Sequence, residues 1–133
     1  MEKRLTLDDF DFSKVRHVEL DANYVPYQDA TILLRIVEGA WVALFREDKS
    51  SSVEMLPPRP NLYQYDGGYA WGYSGSGPQN LAHAIAGRIY EFDSLKDTDV
   101  IGKAYQILDH FLSPLDKGKE YDLQVADIKQ KIG

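Results

Sequence analysis

The strongest apolar pattern in the chain lies between residues 31 and 45, where two apolar runs flank Glu38 and Gly39. Runs of this composition are typical of strands, and glycine tolerates the positive φ that a two-residue hairpin turn requires. With Val37 opposite Ala40, one face of the predicted hairpin carries Ile32, Leu34, Ile36, Trp41, Ala43 and Phe45. The other face carries Leu33, Val37, Val42 and Leu44, so we expect both faces to be at least partly covered.

A second pattern of period two is aromatic. Five large aromatic side chains occupy odd positions, which place them on one face of a strand: Tyr63, Tyr65, Tyr69, Trp71 and Tyr73. This spacing predicts a second hairpin that turns at residues 66–68. A shorter apolar run predicts a strand at Val15–Leu20, and the charged, serine-rich and proline-rich residues 46–61 predict an exposed loop.

The pattern changes to helical spacing after the aromatic segment. A helix is predicted from about Pro78 to Phe92, with one apolar stripe formed by Leu81, Ala82, Ile85, Ile89 and Phe92 and with His83, Gly87, Tyr90 and Glu91 away from it. Its start has two alternatives, a capping box from Ser76 to Gln79 or a cap at Gly77 with Pro78 as the first helical residue. Further helices are predicted at about Asp99–Leu112 and Val125–Ile132.

These elements predict one α+β domain covering residues 1–133. A small antiparallel β-sheet is packed on one face by two or three α-helices, with the strands mainly N-terminal and the helices C-terminal. The predicted parts are a polar arm at 1–14, a β-rich part at 15–73 that includes the exposed 46–61 loop, and a helical part at 74–133. A chain of 133 residues with 44% hydrophobic residues is sufficient for one core.

Charge and composition narrow the class of partner. The net charge of −6 argues against direct binding to nucleic acid, which requires many lysine and arginine contacts with phosphates, and favours a basic protein partner. The acidic residues are spread along the chain, which indicates a solvated surface; mimicry of nucleic acid is the alternative. The chain has no cysteine, no secretory signal and no run of membrane-spanning length, so we expect a cytoplasmic protein that does not bind membranes.

Specific catalytic and phosphate-binding motifs are absent from the glycine-rich residues 72–78, here called the glycine turn. A P-loop needs a lysine where Pro78 follows Gly77, a dinucleotide site needs a third glycine, and a nucleophile elbow needs glycines on both sides of Ser74. The histidines at positions 17, 83 and 110 lack metal-ligand spacing. We therefore expect no catalytic residue, no metal, no cofactor and no enzymatic activity.

Two candidate binding sites follow from the same region. Backbone N–H groups at a helix start beside aromatic rings predict a nucleotide or phosphate site at Trp71, Tyr73, Ser74, Gly75, Ser76, Gly77 and Arg88, with charge also from Arg59. The structural alternative is a tight turn whose aromatic residues belong to the core. A protein-binding surface is predicted at Tyr63, Tyr65, Arg59 and Asp66, and the tyrosine-rich strand is a candidate homodimer interface.

The sequence "AWGYSGSGPQNLAHAI", together with "AYQILDHFL" and "YDLQVADIKQKI", resembles an uncharacterised family of small proteins from bacteria, bacteriophages and mobile elements. An aromatic-Gly-Tyr followed by Gly-Ser-Gly-Pro and an Ala- and Leu-rich helix carries the resemblance, over Tyr69 to about Ile132. His83 and the long amino-terminal arm depart from the family pattern. The resemblance implies an accessory protein of phage or mobile-element type, with no established catalytic residue.

Two functions are therefore predicted. The first is a non-enzymatic accessory protein that binds a host protein, including as an inhibitor of a bacterial defence system such as a CRISPR effector. The second is a small-molecule binder for a nucleotide or phosphate-bearing ligand at the glycine turn.

Overall fold

The computed structural model describes residues 26–133, so the predicted arm at 1–14 and the predicted strand at Val15–Leu20 lie outside the described residues. The elements are β1 (Thr31–Val37), β2 (Ala40–Arg46), β3 (Glu54–Met55), α1 (Ser76–Ile89), α2 (Asp97–Ile107), β4 (Tyr121–Gln124) and α3 (Val125–Ile132). A π-helical turn at Leu108–Leu112 continues α2. The α+β prediction is confirmed, with strands mostly before helices.

The sheet is antiparallel throughout, in the order β3-β2-β1-β4. The predicted hairpin is confirmed, because Val37 pairs with Ala40. Glu38 and Gly39 have φ values of 52° and 80°, the left-handed conformation that a tight hairpin turn of two residues requires. Ile32, Leu34 and Phe45 on the predicted inner face are fully buried.

Helix α1 lies at the centre of the molecule and is buried on almost every side. His83, Gly87 and Tyr90, which the helical spacing places away from the apolar stripe, are buried as well, whereas Glu91 is exposed. The helix packs along α2, and the residues before it cover another side, as the stacking of Tyr63 on His83 shows. The helix ends at Ile89, and Phe92 is 67% exposed rather than part of the stripe.

The tyrosine-rich segment is not a strand. Residues 61–73 contain no β-strand, so the predicted second hairpin is wrong and the proposed homodimer interface lacks its strand. Tyr69 and Trp71 instead donate side-chain hydrogen bonds to the carbonyl oxygens of Leu56 and Lys119. The segment therefore packs against α1. Its aromatic side chains are part of the core or donate hydrogen bonds to loops that are distant in sequence.

Strand positions outside the first hairpin also differ from the prediction. The 46–61 loop contains β3, whose two residues are exposed, and it is not uniformly exposed because Leu56 is buried. The predicted helical part contains β4, which pairs with β1 at the other side of the sheet. Both strands are short, so they carry too few alternating positions for a periodic signal. The final helix has the predicted bounds, Val125–Ile132.

Candidate functional site

The glycine turn is attached to the loop before β4. The backbone N–H of Gly72 donates to the carbonyl of Leu112 at 2.9 Å, and Gly72 has a φ of 92°. A Cβ at this position would lie 2.6 Å from the backbone nitrogen of Lys117. Glycine is required here by both conformation and space.

Trp71 anchors the same turn in the core. Its side chain has no exposed surface, its indole N–H donates to the carbonyl of Lys119 at 2.9 Å, and its ring lies 5.6 Å from that of Trp41. A side chain buried in this way presents no ring face to a ligand in solution. Trp71 is therefore a core residue, as the structural alternative for the glycine turn predicts.

The start of α1 uses backbone geometry instead of a side-chain cap. Gly75 is the N-cap residue and makes no side-chain hydrogen bond, so both predicted alternatives for the helix start are wrong. The side-chain amide of Gln79 donates to the carbonyl of Ser74 at 3.0 Å, so Gln79 does not form the predicted capping box with Ser76. A Cβ on Gly77 would lie 2.7 Å from that of Ala70, so close packing also requires this glycine.

The structure brings together only part of the predicted ligand site. Ser74, Gly75 and Ser76 lie at the helix start beside Tyr73, which is 42% exposed, whereas Gly77 is buried. Arg88 is in the last turn of α1, about 18 Å along the helix axis from Ser76 at a rise of roughly 1.5 Å per residue. Its charge is therefore not available at the glycine turn.

Arg88 and Arg59 instead form an ion-pair cluster at the far end of α1. Arg88 contacts Glu54 of β3 at 2.5 Å and stacks 4.3 Å from the ring of Phe45, and Arg59 contacts Glu91 at 3.2 Å. Tyr27 also donates to Glu91, and burial together with this hydrogen bond raises the pKa of Tyr27 to about 12. Both guanidinium groups are thus engaged within the fold.

The four residues of the predicted protein-binding surface lie in three different environments. Tyr63 stacks on His83 with a ring distance of 4.9 Å, and His83 is 1% exposed with its Nδ1 donating to the carbonyl of Gln79. Arg59 belongs to the ion-pair cluster. Tyr65 and Asp66 are exposed, and both line one groove.

This groove has a volume of about 460 Å³ and lies between the sheet and the segment before α1. The walls of the groove are formed mainly by Trp41, Met55, Leu56, Pro57, Pro58, Tyr65 and Tyr69, with Asp66, Gly68 and Asn80. Among the described residues that line the groove, Asp66 is the only one with an ionisable carboxylate, and none is basic. The sequence predicts Tyr65 and Asp66 as site residues but not the groove, because the walls of the groove come from segments far apart in sequence.

Two buried polar side chains hold the walls of the groove. The hydroxyl of Tyr69 donates to the carbonyl of Leu56 at 2.8 Å, and burial raises the pKa of this phenol far above its ordinary value. The Nδ2 of Asn80 donates to the carbonyl of Gly68 at 2.9 Å, while its Oδ1 is buried with no hydrogen-bond partner among the described residues. The walls are therefore positioned before any partner binds.

Replacing Tyr69 by phenylalanine is expected to lower the free energy of unfolding by about 1 kcal/mol, because the carbonyl of Leu56 loses its donor. Urea unfolding followed by tryptophan fluorescence measures this loss. Tyr73→Phe is the matched control, since that tyrosine is 42% exposed, and should change stability by less than about 0.5 kcal/mol. Equal losses in the two variants would contradict this role for Tyr69.

Two other features are absent from residues 26–133. No group of three or more His, Asp or Glu side chains there is arranged to hold a metal ion. None of the helices in that range combines the length and the apolar character needed to cross a membrane.

Comparison with known proteins places the chain in a family. A family model described as a family of unknown function, DUF6166, matches residues 35–132. The chain belongs to this family. The DUF6166 match is longer than the Tyr69–Ile132 stretch that carries the resemblance, and it includes both the groove and the glycine turn. No curated protein and no solved structure matches the chain.

Proposed function

We propose that this DUF6166 protein is a non-enzymatic accessory protein that binds another protein through the groove. The observation that carries the proposal is a preformed apolar groove that is open to solvent. Met55 is 63% exposed and Tyr65 is 39% exposed at its walls. Exposed apolar surface of this kind, with aromatic residues and methionine, is characteristic of protein-binding sites.

The charge of the groove favours a basic partner. Within residues 26–133, Asp66 is the only charged residue that lines the groove, and the whole chain has a net charge of −6. An apolar side chain of the partner would fill the groove, and a lysine or arginine beside it would meet Asp66. Such a pairing of a buried apolar anchor with complementary charge at the edge provides both affinity and orientation.

The resemblance to phage and mobile-element proteins guides the choice of the first partners to test. We propose host proteins, with components of bacterial defence complexes first among them, and inhibition of such a complex as the outcome of binding. This part of the proposal rests on the resemblance and on the acidic charge alone.

A nucleotide or phosphate ligand at the glycine turn stays a prediction. Ser74 and Ser76 are exposed there, but Trp71 is buried and Arg88 lies at the other end of α1. Titration with a panel of nucleotides and sugar phosphates, with Gly75→Val as the disrupted variant, tests it.

Met55→Glu is expected to abolish capture of the partner, because it places a charge in the apolar groove and adds to the negative charge of Asp66. Affinity capture from bacterial lysate at low salt, followed by mass spectrometry, compares this variant with the wild type. Phe92→Glu is the matched control, since Phe92 is 67% exposed and does not line the groove.

A protein retained by the wild type and by Phe92→Glu but lost with Met55→Glu would support the proposal. Recovery of the same proteins by all three forms, or of background proteins only, would refute it. Thermal unfolding of each variant is measured in parallel, and both substitutions are expected to leave the fold intact because each side chain is mostly exposed.

A further inference from the structure

The side of β2 that faces the groove is only partly covered by β3. β3 pairs with β2 at Leu44 and Phe45, and the backbone N–H of Leu56 donates to the carbonyl of Ala43 at 3.0 Å. Two prolines follow directly, at positions 57 and 58, and proline has no backbone N–H for a ladder. Within the described residues, β2 therefore has no strand beside it on this side from Ala40 to Trp41.

The backbone of Trp41 points to this uncovered side. The carbonyl of Ala43 faces β3, and in a strand the N–H and C=O groups of every second residue point to the same side. Trp41 pairs across the hairpin with Ile36, and neither its N–H nor its C=O bonds to any other described residue. Trp41, which also lines the groove, thus has one backbone donor and one backbone acceptor without a partner among residues 26–133.

We propose that the partner binds as an extended segment that adds to the sheet beside β2, in line with β3. Its backbone exchanges hydrogen bonds with Trp41, one apolar side chain enters the groove between Met55 and Tyr65, and a neighbouring lysine or arginine meets Asp66. This inference rests on the proposed function and specifies its partner chemistry as an apolar and basic linear sequence.

The geometry favours an extended chain over other occupants. In β-strand addition, the backbone of an extended chain hydrogen-bonds to a sheet edge while its side chains enter adjacent pockets. Only an extended chain can in this way bond to the N–H and C=O of Trp41 and also place a side chain in the groove. A second copy of this protein would bring another net charge of −6 to a groove that already holds Asp66. The uncovered edge is short, so micromolar affinity, with Kd of about 1–100 μM, is expected.

The experiment uses a displayed library of random linear peptides, panned against the full chain and then against Met55→Glu and Phe92→Glu. The enriched sequences are expected to combine an apolar residue with a lysine or arginine one or two positions away, and to be lost with Met55→Glu only. The peptide with the highest affinity is then titrated while amide hydrogen exchange is followed by NMR.

The expected result at saturating peptide is a slowing of exchange at the amide of Trp41 by at least about tenfold. The amide of Val42 is the internal control, because it faces β1 and should not change. N-methylation of the peptide amide that pairs with Trp41 should weaken binding about five- to tenfold, whereas N-methylation one residue away should have less than about a twofold effect.

Three outcomes would overturn the proposal. Peptides that depend on Met55 but leave the exchange of Trp41 unchanged would show that the groove binds side chains without strand addition, and the proposed function would stand. Failure of any peptide to enrich, with capture of a folded partner still dependent on Met55, would have the same meaning. Slowed exchange of Trp41 that appears with protein concentration alone, with a dimer in sedimentation analysis, would assign the edge to a second copy.

Discussion

Replacement of Trp71 by alanine is expected to lower the free energy of unfolding by about 3–5 kcal/mol, the range for removal of a fully buried tryptophan. The indole fills the space beside Trp41, and its N–H satisfies the carbonyl of Lys119. Alanine would leave a cavity there and a buried carbonyl without its donor. Urea unfolding followed by circular dichroism measures the loss.

Tyr73→Ala is the control for this effect, because Tyr73 lies two residues away in the glycine turn and is 42% exposed. Tyr73→Ala should lower the free energy of unfolding by less than about 1 kcal/mol. Where Trp71→Ala does not accumulate as folded protein, Trp71→Phe keeps most of the volume and should cost about 1–3 kcal/mol through the missing donor. Comparable losses at positions 71 and 73 would contradict the assignment of Trp71 to the core.

Gly72→Ala is expected to lower the free energy of unfolding by about 3 kcal/mol. A non-glycine residue in the left-handed region costs about 1–2 kcal/mol, and the steric conflict with Lys117 adds about 1–3 kcal/mol. The attached loop leads into β4, so the variant should also exchange the amide hydrogens of residues 112–121 faster than the wild type does.

Gly68→Ala separates the two contributions to the Gly72 effect. Gly68 has a φ of 86°, close to that of Gly72, but a Cβ there would meet no atom within 4 Å. Gly68→Ala should therefore lower the free energy of unfolding only by the cost of the left-handed backbone conformation, about 1–2 kcal/mol. If Gly68→Ala costs as much as Gly72→Ala, the close approach to Lys117 is not what constrains the glycine turn.

The first hairpin was accessible to prediction because its information is local. Glu38 and Gly39 determine the turn, and the pairing of Val37 with Ala40 follows from a two-residue connection. The aromatic residues 63–73 also have a period of two, but this period is not caused by a strand. Tyr63, Tyr69 and Trp71 each contact a different segment, and such contacts over long sequence distances leave no periodic signal.

The candidate site was only partly predictable for the same physical reason. The nearly uncharged, aromatic-rich stretch that contains Tyr65 and Asp66 predicts them as site residues, and both line the groove. Met55 and Trp41 were not recognised as site residues, because their place in the groove depends on where β3 ends and on which side of β2 it pairs. Arg88 was assigned to the glycine turn from its proximity in sequence, whereas the length of α1 separates them.

A binding titration of the captured partner against two variants distinguishes the groove from the glycine turn as the functional surface. Met55→Glu alters the groove, and Tyr73→Ser alters the exposed part of the glycine turn. If the groove is the functional surface, Met55→Glu weakens binding by at least about tenfold and Tyr73→Ser by less than about twofold. Loss of binding with Tyr73→Ser and unchanged binding with Met55→Glu would contradict a partner-binding role for the groove and would indicate that the partner binds at the glycine turn.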